Sequence, residues 1–223
     1  MASDSRTTYT HTETVGDKIV EQIGIHVTDT TDKTFLCPNY IGLSTCGDSS
    51  IENKPITGYI ETFIRENIND TTDIDTVPDA LIAYFNRFTN VPDTTFFVAG
   101  YKKFNDNMFE QILWQVFVKS IQKIKTNTQI QGATWAGEID ILSKLIKEVG
   151  VKQPDGSYIA MPSNDILWNY FTLKDAVEFS EYAIKTTVDT MKFQNRNKTV
   201  GGAIDILILK PNEAFWLKKK SIT

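Results

Sequence analysis

Two cysteines, two histidines and seven prolines in 223 residues leave little material for several kinds of chemistry. Cys37 and Cys46 form no C-x-x-C pair, which argues against a disulfide framework or a thiolate metal site. Two free thiols in a reducing compartment, and hence a cytoplasmic protein, are expected. His11 and His26 stand in a Thr-rich polar segment with no second ligand at helical or turn spacing, so both are expected in solvent and not on a metal. Positive charge is the minority sign: 23 Lys and Arg against 28 Asp and Glu leave a net charge of −5. Nucleic-acid binders and proteins of anionic membranes need a concentrated positive field, so both classes are disfavoured. The run Lys218-Lys219-Lys220 is then expected to be a solvated chain end. No apolar stretch approaches the roughly 18 residues of a membrane span, and the first residues are polar, unlike a signal peptide.

What the chain does have is patterned apolar content. At 41% hydrophobic, residues 1–223 suffice for a single layered domain. His11 to Thr31 alternates loosely and is rich in Thr and Val, as a long hairpin would be. Thr34 to Cys37 and Tyr40 to Thr45 read as strands around a Pro38-Asn39 turn. Ile56, Ile60, Phe63, Ile64 and Ile68 then recur at helical spacing, and Ala80, Leu81, Tyr84, Phe85 and Phe88 form a second stripe with Pro78 in its first turn. Asp70, Asp73, Asp75 and Asp79 lie around the connection; they lack the spacing and turn glycine of a calcium loop and read as a solvated, capping link. Thr95 to Tyr101 and Phe109 to Val118 read as buried strands. Gln129 to Ala136 reads as one further strand, and Ile139, Leu142, Ile146 and Val149 mark a short helix stopping at Gly150. Gln153 to Asn164 has the composition of a surface loop. Thr172, with Asp175 three residues on, opens the best helix of the chain, and a hairpin turning at Pro211-Asn212-Glu213 closes it. Periodicity alone gives α+β, mostly antiparallel.

Five segments in order carry a resemblance. They are the opening Ala2-Ser3-Asp4-Ser5-Arg6-Thr7-Thr8, the segment Asp32-Lys33-Thr34-Phe35-Leu36 followed by Ile41 to Asp48, the strand Thr95 to Tyr101, the helix T-L-x-D-A-V-E-F, and the strand Thr199-Val200-Gly201-Gly202-Ala203-Ile204-Asp205-Ile206-Leu207. Together they resemble the proteasome β-subunit family of N-terminal-nucleophile hydrolases. The resemblance implies a four-layer α-β-β-α sandwich of two antiparallel sheets and a threonine-type peptidase or amidase that needs no cofactor. It also implies a homo-oligomer, with a ring as one form, acting on a peptide or amide substrate.

In that family a terminal threonine offers its hydroxyl as nucleophile and its own α-amine as base. The resemblance places this residue upstream of Asp4, ahead of Met1. Lys33 would favour the alkoxide-like state and Asp4 would hold the lysine, the alternative being an ordinary strand-end ion pair. The Gly47 amide would face the oxyanion, unless that amide is Cys46's or Gly47 is only a turn glycine. Thr7, Thr8 and Ser49 match cleft-lining positions, and Thr45 falls near the specificity-pocket wall.

Three departures qualify the match. Asn197 and Thr199-Val200 stand where the family places an Asp and a Ser, Trp135 enters a turn expected to be small, and the Asp4–Lys33 interval is long. Processing after Arg6 would expose Thr7 but remove Asp4, the partner of Lys33, and is disfavoured. A non-catalytic assembly or binding subunit is the alternative function.

Overall fold

A short strand, β1 (Ala2–Ser3), leads into a long hairpin, β2 (Thr7–Val15) and β3 (Lys18–Thr28), which begins at Thr7, earlier than the sequence alternation indicates. The computed structural model describes residues 1–16, 18–105 and 108–221, with backbone alone for 10–13 and 21–24; the side chain of His11 therefore lies outside the described residues. Next come β4 (Thr34–Cys37), a turn at Pro38–Tyr40, β5 (Ile41–Gly47), and the small hairpin β6 (Ser50–Ile51) and β7 (Lys54–Pro55). Helices α1 (Ile56–Asn67) and α2 (Val77–Phe85) follow, then β8 (Thr94–Asn105), β9 (Met108–Phe117) and β10 (Gln122–Lys125). The last third holds α3 (Asp140–Ile146), β11 (Gly150–Lys152), β12 (Tyr158–Ala160), α4 (Leu173–Phe193), β13 (Asp205–Lys210) and β14 (Glu213–Lys218).

The result is an α+β chain built on antiparallel sheets. One has five strands in the order β10-β9-β8-β5-β4, and another has three in the order β1-β13-β14. The apolar stripes of α1 and α2 close over the larger sheet. Ile60, Phe63, Leu81 and Phe85 are buried with Phe96, Val98, Ile112 and Val116, and the Phe85 and Phe96 rings lie 5.2 Å apart. Burial of each such side chain contributes about 1.5–3 kcal/mol. β13 crosses β4, β5 and β8, and Gly42 permits that approach: a Cβ there would stand 2.9 Å from Leu209 Cδ1. α4 touches β1 and carries α3 on its flank. Its N-terminus is held by the expected capping box, in which Asp175 N–H donates to Thr172 Oγ1 and Thr172 N–H to Asp175 Oδ2.

Four expectations are corrected. No strand forms at 129–136, because β10, joined to β9 by a tight turn, already occupies that sheet edge. All four β10 residues are exposed, which is why no apolar alternation marks the strand. α3 ends at Ile146, where Lys147 turns extended, and Gly150 instead opens β11. The 153–164 segment is exposed as expected, yet it carries β12, which pairs with β11 just ahead of it, Gly150 facing Ala160.

The terminal lysines, finally, are a solvated end only in part: Lys218 and Lys219 are exposed as expected, whereas the Lys220 side chain is not. Lys218 bonds Glu181 of α4, Lys219 bonds Asp32, and Lys220 lies 7% exposed between Asp32 and Asp205. Asp205 is fully buried in β13, and a carboxylate there requires a counter-charge.

Candidate active site

β1 pairs with β13, placing Ser3 opposite Asp205. The next residues continue as extended chain: Ser5 N–H donates to the Gly201 carbonyl, and the Ser5 carbonyl accepts from Thr31 N–H, both at 3.0 Å. Asp4 is thereby fixed between the 201 turn and the segment leading to Lys33. Lys33 immediately precedes β4, and its carbonyl accepts from Thr45 N–H of β5 at 2.8 Å. Lys33 Nζ donates to Asp4 Oδ1 at 2.7 Å, with the two side chains only 20% and 14% exposed. Asp4 Oδ2 accepts from Gly201 N–H at 3.0 Å and Arg6 N–H at 3.1 Å. Each carboxylate oxygen is thus engaged, one on a cation and the other on two backbone donors.

Beneath the pair runs a buried hydroxyl chain that joins β1 to β4 and β5. Thr34 Oγ1 lies 2.8 Å from Ser3 Oγ and 3.0 Å from Ser44 Oγ. Beside it, Arg6 grips Asp29 with two nitrogens, at 2.7 and 2.9 Å, and donates to the Lys198 carbonyl at 3.0 Å. The Arg6 hydrogen bond, aided by His26 and against some burial, lowers the Asp29 carboxyl to about 2.

Cys46 also belongs to this neighbourhood. Burial raises its thiol, while the charge of Lys33 pulls the other way. On another side of Cys46, a Cβ at Gly137 would stand 3.9 Å from Cys46 Cβ, so Gly137 lines the same region. Gly47, at the exposed end of β5, has φ +111°, and a Cβ would come 2.2 Å from the Asp93 carbonyl; backbone geometry alone therefore demands glycine.

The remaining expected residues are distributed around this centre. Thr45 meets Lys33 through its backbone, and its own buried hydroxyl has no hydrogen-bond partner among the described residues. Thr7 Oγ1 is tied to Thr31 Oγ1 at 2.6 Å, and Thr8 pairs with His26 in the hairpin. The Ser49 carbonyl accepts from Ile56 N–H, closing the turn into α1. Trp135 lies under Lys147, whose Nζ is 5.7 Å from the ring.

A further set of ion pairs, which nothing in the sequence marks, borders the turn before Gly201. Arg196 donates to both oxygens of Asp140, at 3.0 and 2.9 Å, and to Glu138 Oε2 at 2.5 Å. Thr199 Oγ1 donates to Glu138 Oε1 at 2.5 Å. These pairs span 56 to 61 positions, and no local pattern marks them. Among the described residues no cluster of His, Cys, Asp and Glu could hold a metal ion, and no helix is long and apolar enough to cross a membrane.

The class these features define is a mixed α/β domain on antiparallel sheets, with a lysine–carboxylate pair held where β1, the start of β4 and the turn before β13 converge. No protein-family model matches the chain, and no curated protein matches it.

Proposed function

We propose that the chain is a proteasome-like domain of the N-terminal-nucleophile hydrolases, acting as a threonine-type peptidase or amidase. One observation carries the reading. Three segments that bear the resemblance, far apart in sequence, meet at a point: Asp4 of the opening motif binds Lys33 of the second and the Gly201 amide of the last. The fold contacts support the finer architecture, with α1 and α2 outside the larger sheet, β13 facing that sheet, and α4 beyond β1.

In this reading a threonine N-terminal to Met1 supplies the nucleophile. Its hydroxyl adds to the amide carbonyl carbon while its α-amine takes the proton. Lys33, aimed by Asp4, stabilises the developing oxygen anion of the nucleophile. The Gly47 or Cys46 amide serves the carbonyl oxyanion. The C–N bond then breaks, the amine departs with the proton, and water hydrolyses the resulting ester. No cofactor enters. A homo-oligomer belongs to the same reading, supported by apolar side chains left in solvent, including Tyr158, Ile159, Leu167, Tyr170 and Phe193.

A second reading, a non-catalytic assembly or binding subunit, has its own observation. The turn before Gly201 carries Asn197 and Val200, and the Thr199 hydroxyl is committed to Glu138.

N-terminal sequencing with intact mass on protein from its native source decides between the two. A mature chain beginning with threonine ahead of Asp4, with hydrolysis of a fluorogenic peptide amide that Lys33→Met abolishes, is expected. A chain starting at Met1 or Ala2 and lacking that hydrolysis leaves the binding subunit.

A further inference from the structure

We infer that Glu138 is a positioning residue for the Asp4–Lys33 pair, acting through the turn at 196–201. The inference rests on the reading of that pair as the reaction centre.

Glu138 holds the turn at two places. Oε2 takes Arg196 Nη2 and Oε1 takes Thr199 Oγ1, each at 2.5 Å. Arg196 is itself anchored on both oxygens of Asp140, at the first residue of α3. Lys198, between the two clamped residues, donates from Nζ to the Met191 and Gln194 carbonyls at the end of α4, and its own carbonyl accepts from Arg6. The turn is therefore tied to α3, to α4 and to the Arg6 side chain, and two residues past Thr199 it delivers Gly201 N–H to Asp4 Oδ2 at 3.0 Å. That N–H and the Arg6 N–H fix one carboxylate oxygen, which orients the other toward Lys33.

The chemistry makes this arrangement consequential. A carboxylate can rotate to present either oxygen or an edge to an ammonium, and only backbone donors on one oxygen prevent it. Glu138 lies 31% exposed and Arg196 27%, so their bonds are charge-assisted and partly shielded from water. Displacement of a positioning group by about 1 Å costs a reaction roughly a hundredfold. With Asn197 in the turn, the carboxylate that holds it comes from outside, across 61 positions of sequence.

The test uses the full chain with Glu138→Gln, Thr199→Val and, as positive control, Asp4→Asn. The Gly201 amide is observed by NMR for its shift and its hydrogen-exchange rate. Glu138→Gln is expected to move the shift in the direction that Asp4→Asn moves it and to speed exchange roughly tenfold, as local opening of the turn would. On a peptide-amide substrate, kcat falls while KM holds. A folded Glu138→Gln protein with a lowered melting temperature but an unmoved Gly201 amide would overturn the inference, since a merely structural clamp does that. Should Glu138→Gln fail to fold, Thr199→Val removes a single contact and carries the same expectation and refutation. If the wild type hydrolyses no amide, the reading of the site falls, while the Gly201 amide still decides whether Glu138 positions Asp4.

Discussion

Replacing Asp4 by Asn tests the centre of the site, because the geometry says which orientation the amide must choose. Asp4 Oδ1 faces Lys33 Nζ at 2.7 Å, and Oδ2 faces the N–H groups of Arg6 and Gly201. An asparagine has one acceptor oxygen and one donor NH2. Turned with its NH2 to the backbone, it would set donors against two N–H groups. Turned the other way, it sets NH2 against an ammonium but keeps both backbone bonds, and that choice costs less. The loss is then one charge-assisted hydrogen bond, about 1.5–3 kcal/mol. Exposure of 20% for Lys33 and 14% for Asp4 lets water reach the orphaned ammonium, so the lower part of the range, about 2 kcal/mol, is expected.

Lys33→Met should cost a similar amount by leaving the carboxylate without its cation. In the double variant the Asn NH2 faces a methionine and nothing charged is stranded. Its cost should be about 2 kcal/mol where independent sites would give about 4, a coupling of about 2 kcal/mol. Urea unfolding followed by circular dichroism, with an unchanged slope across the four proteins, measures the cycle. Additivity within about 0.5 kcal/mol would refute the reasoning, since it would mean that water replaces either partner freely.

Gly47→Ala places a methyl 2.2 Å from the Asp93 carbonyl at φ +111° and should cost about 1–3 kcal/mol or more, read as a lowered melting temperature. Burial pushes the Cys37 thiol up to about 12, so iodoacetamide should spare it in the folded protein and alkylate Cys46 first; Lys33→Met should slow the Cys46 reaction, because the charge that eases its ionisation is gone. Asp29, lowered from 3.8 to about 2 chiefly by Arg6, favours the folded state when ionised. Its contribution is present above the unfolded value and is lost as pH falls from about 4 to about 2, so the stability gap between wild type and Asp29→Asn should close across that window in acid titrations. Lys220→Met takes the closest cation from the fully buried Asp205, which keeps Lys219 Nζ at 3.8 Å and the backbone N–H of residue 220, and should cost about 1.5–3 kcal/mol, whereas Lys218→Met, on an exposed pair, should change little.

The elements legible in the sequence are those whose burial sets their composition. α1 and α2 show their stripes because Ile60, Phe63, Leu81 and Phe85 have no choice but to be apolar. β8 is legible for the same reason, with alternate residues from Thr94 to Gly100 buried. β10, β11 and β12 are exposed along their whole length, so their composition carries no record of pairing, and their strands exist through neighbours that the local sequence does not name. Lys220 misleads in a complementary way: charge at a chain end reads as solvation, and only the burial of Asp205 opposite Ser3 draws its side chain inward.

The site divides along the same line. Asp4 and Lys33 are visible because they sit in short segments with recognisable neighbours, and their meeting at 2.7 Å follows once β1 pairs with β13 and β4 with β5. What aims them comes from elsewhere. The Gly201 amide is a backbone donor, so no side-chain identity advertises it, and Glu138 and Arg196 are ordinary surface-type residues until the chain brings them together across 58 positions. A carboxylate whose direction depends on a backbone donor, itself set by a distant ion pair, leaves a sequence trace only at its two ends. For this reason substitutions at Glu138 and Arg196 test what aims Asp4: its Oδ2 loses the Gly201 donor if the turn depends on the clamp, and keeps it if Arg6 and Lys198 hold the turn without it.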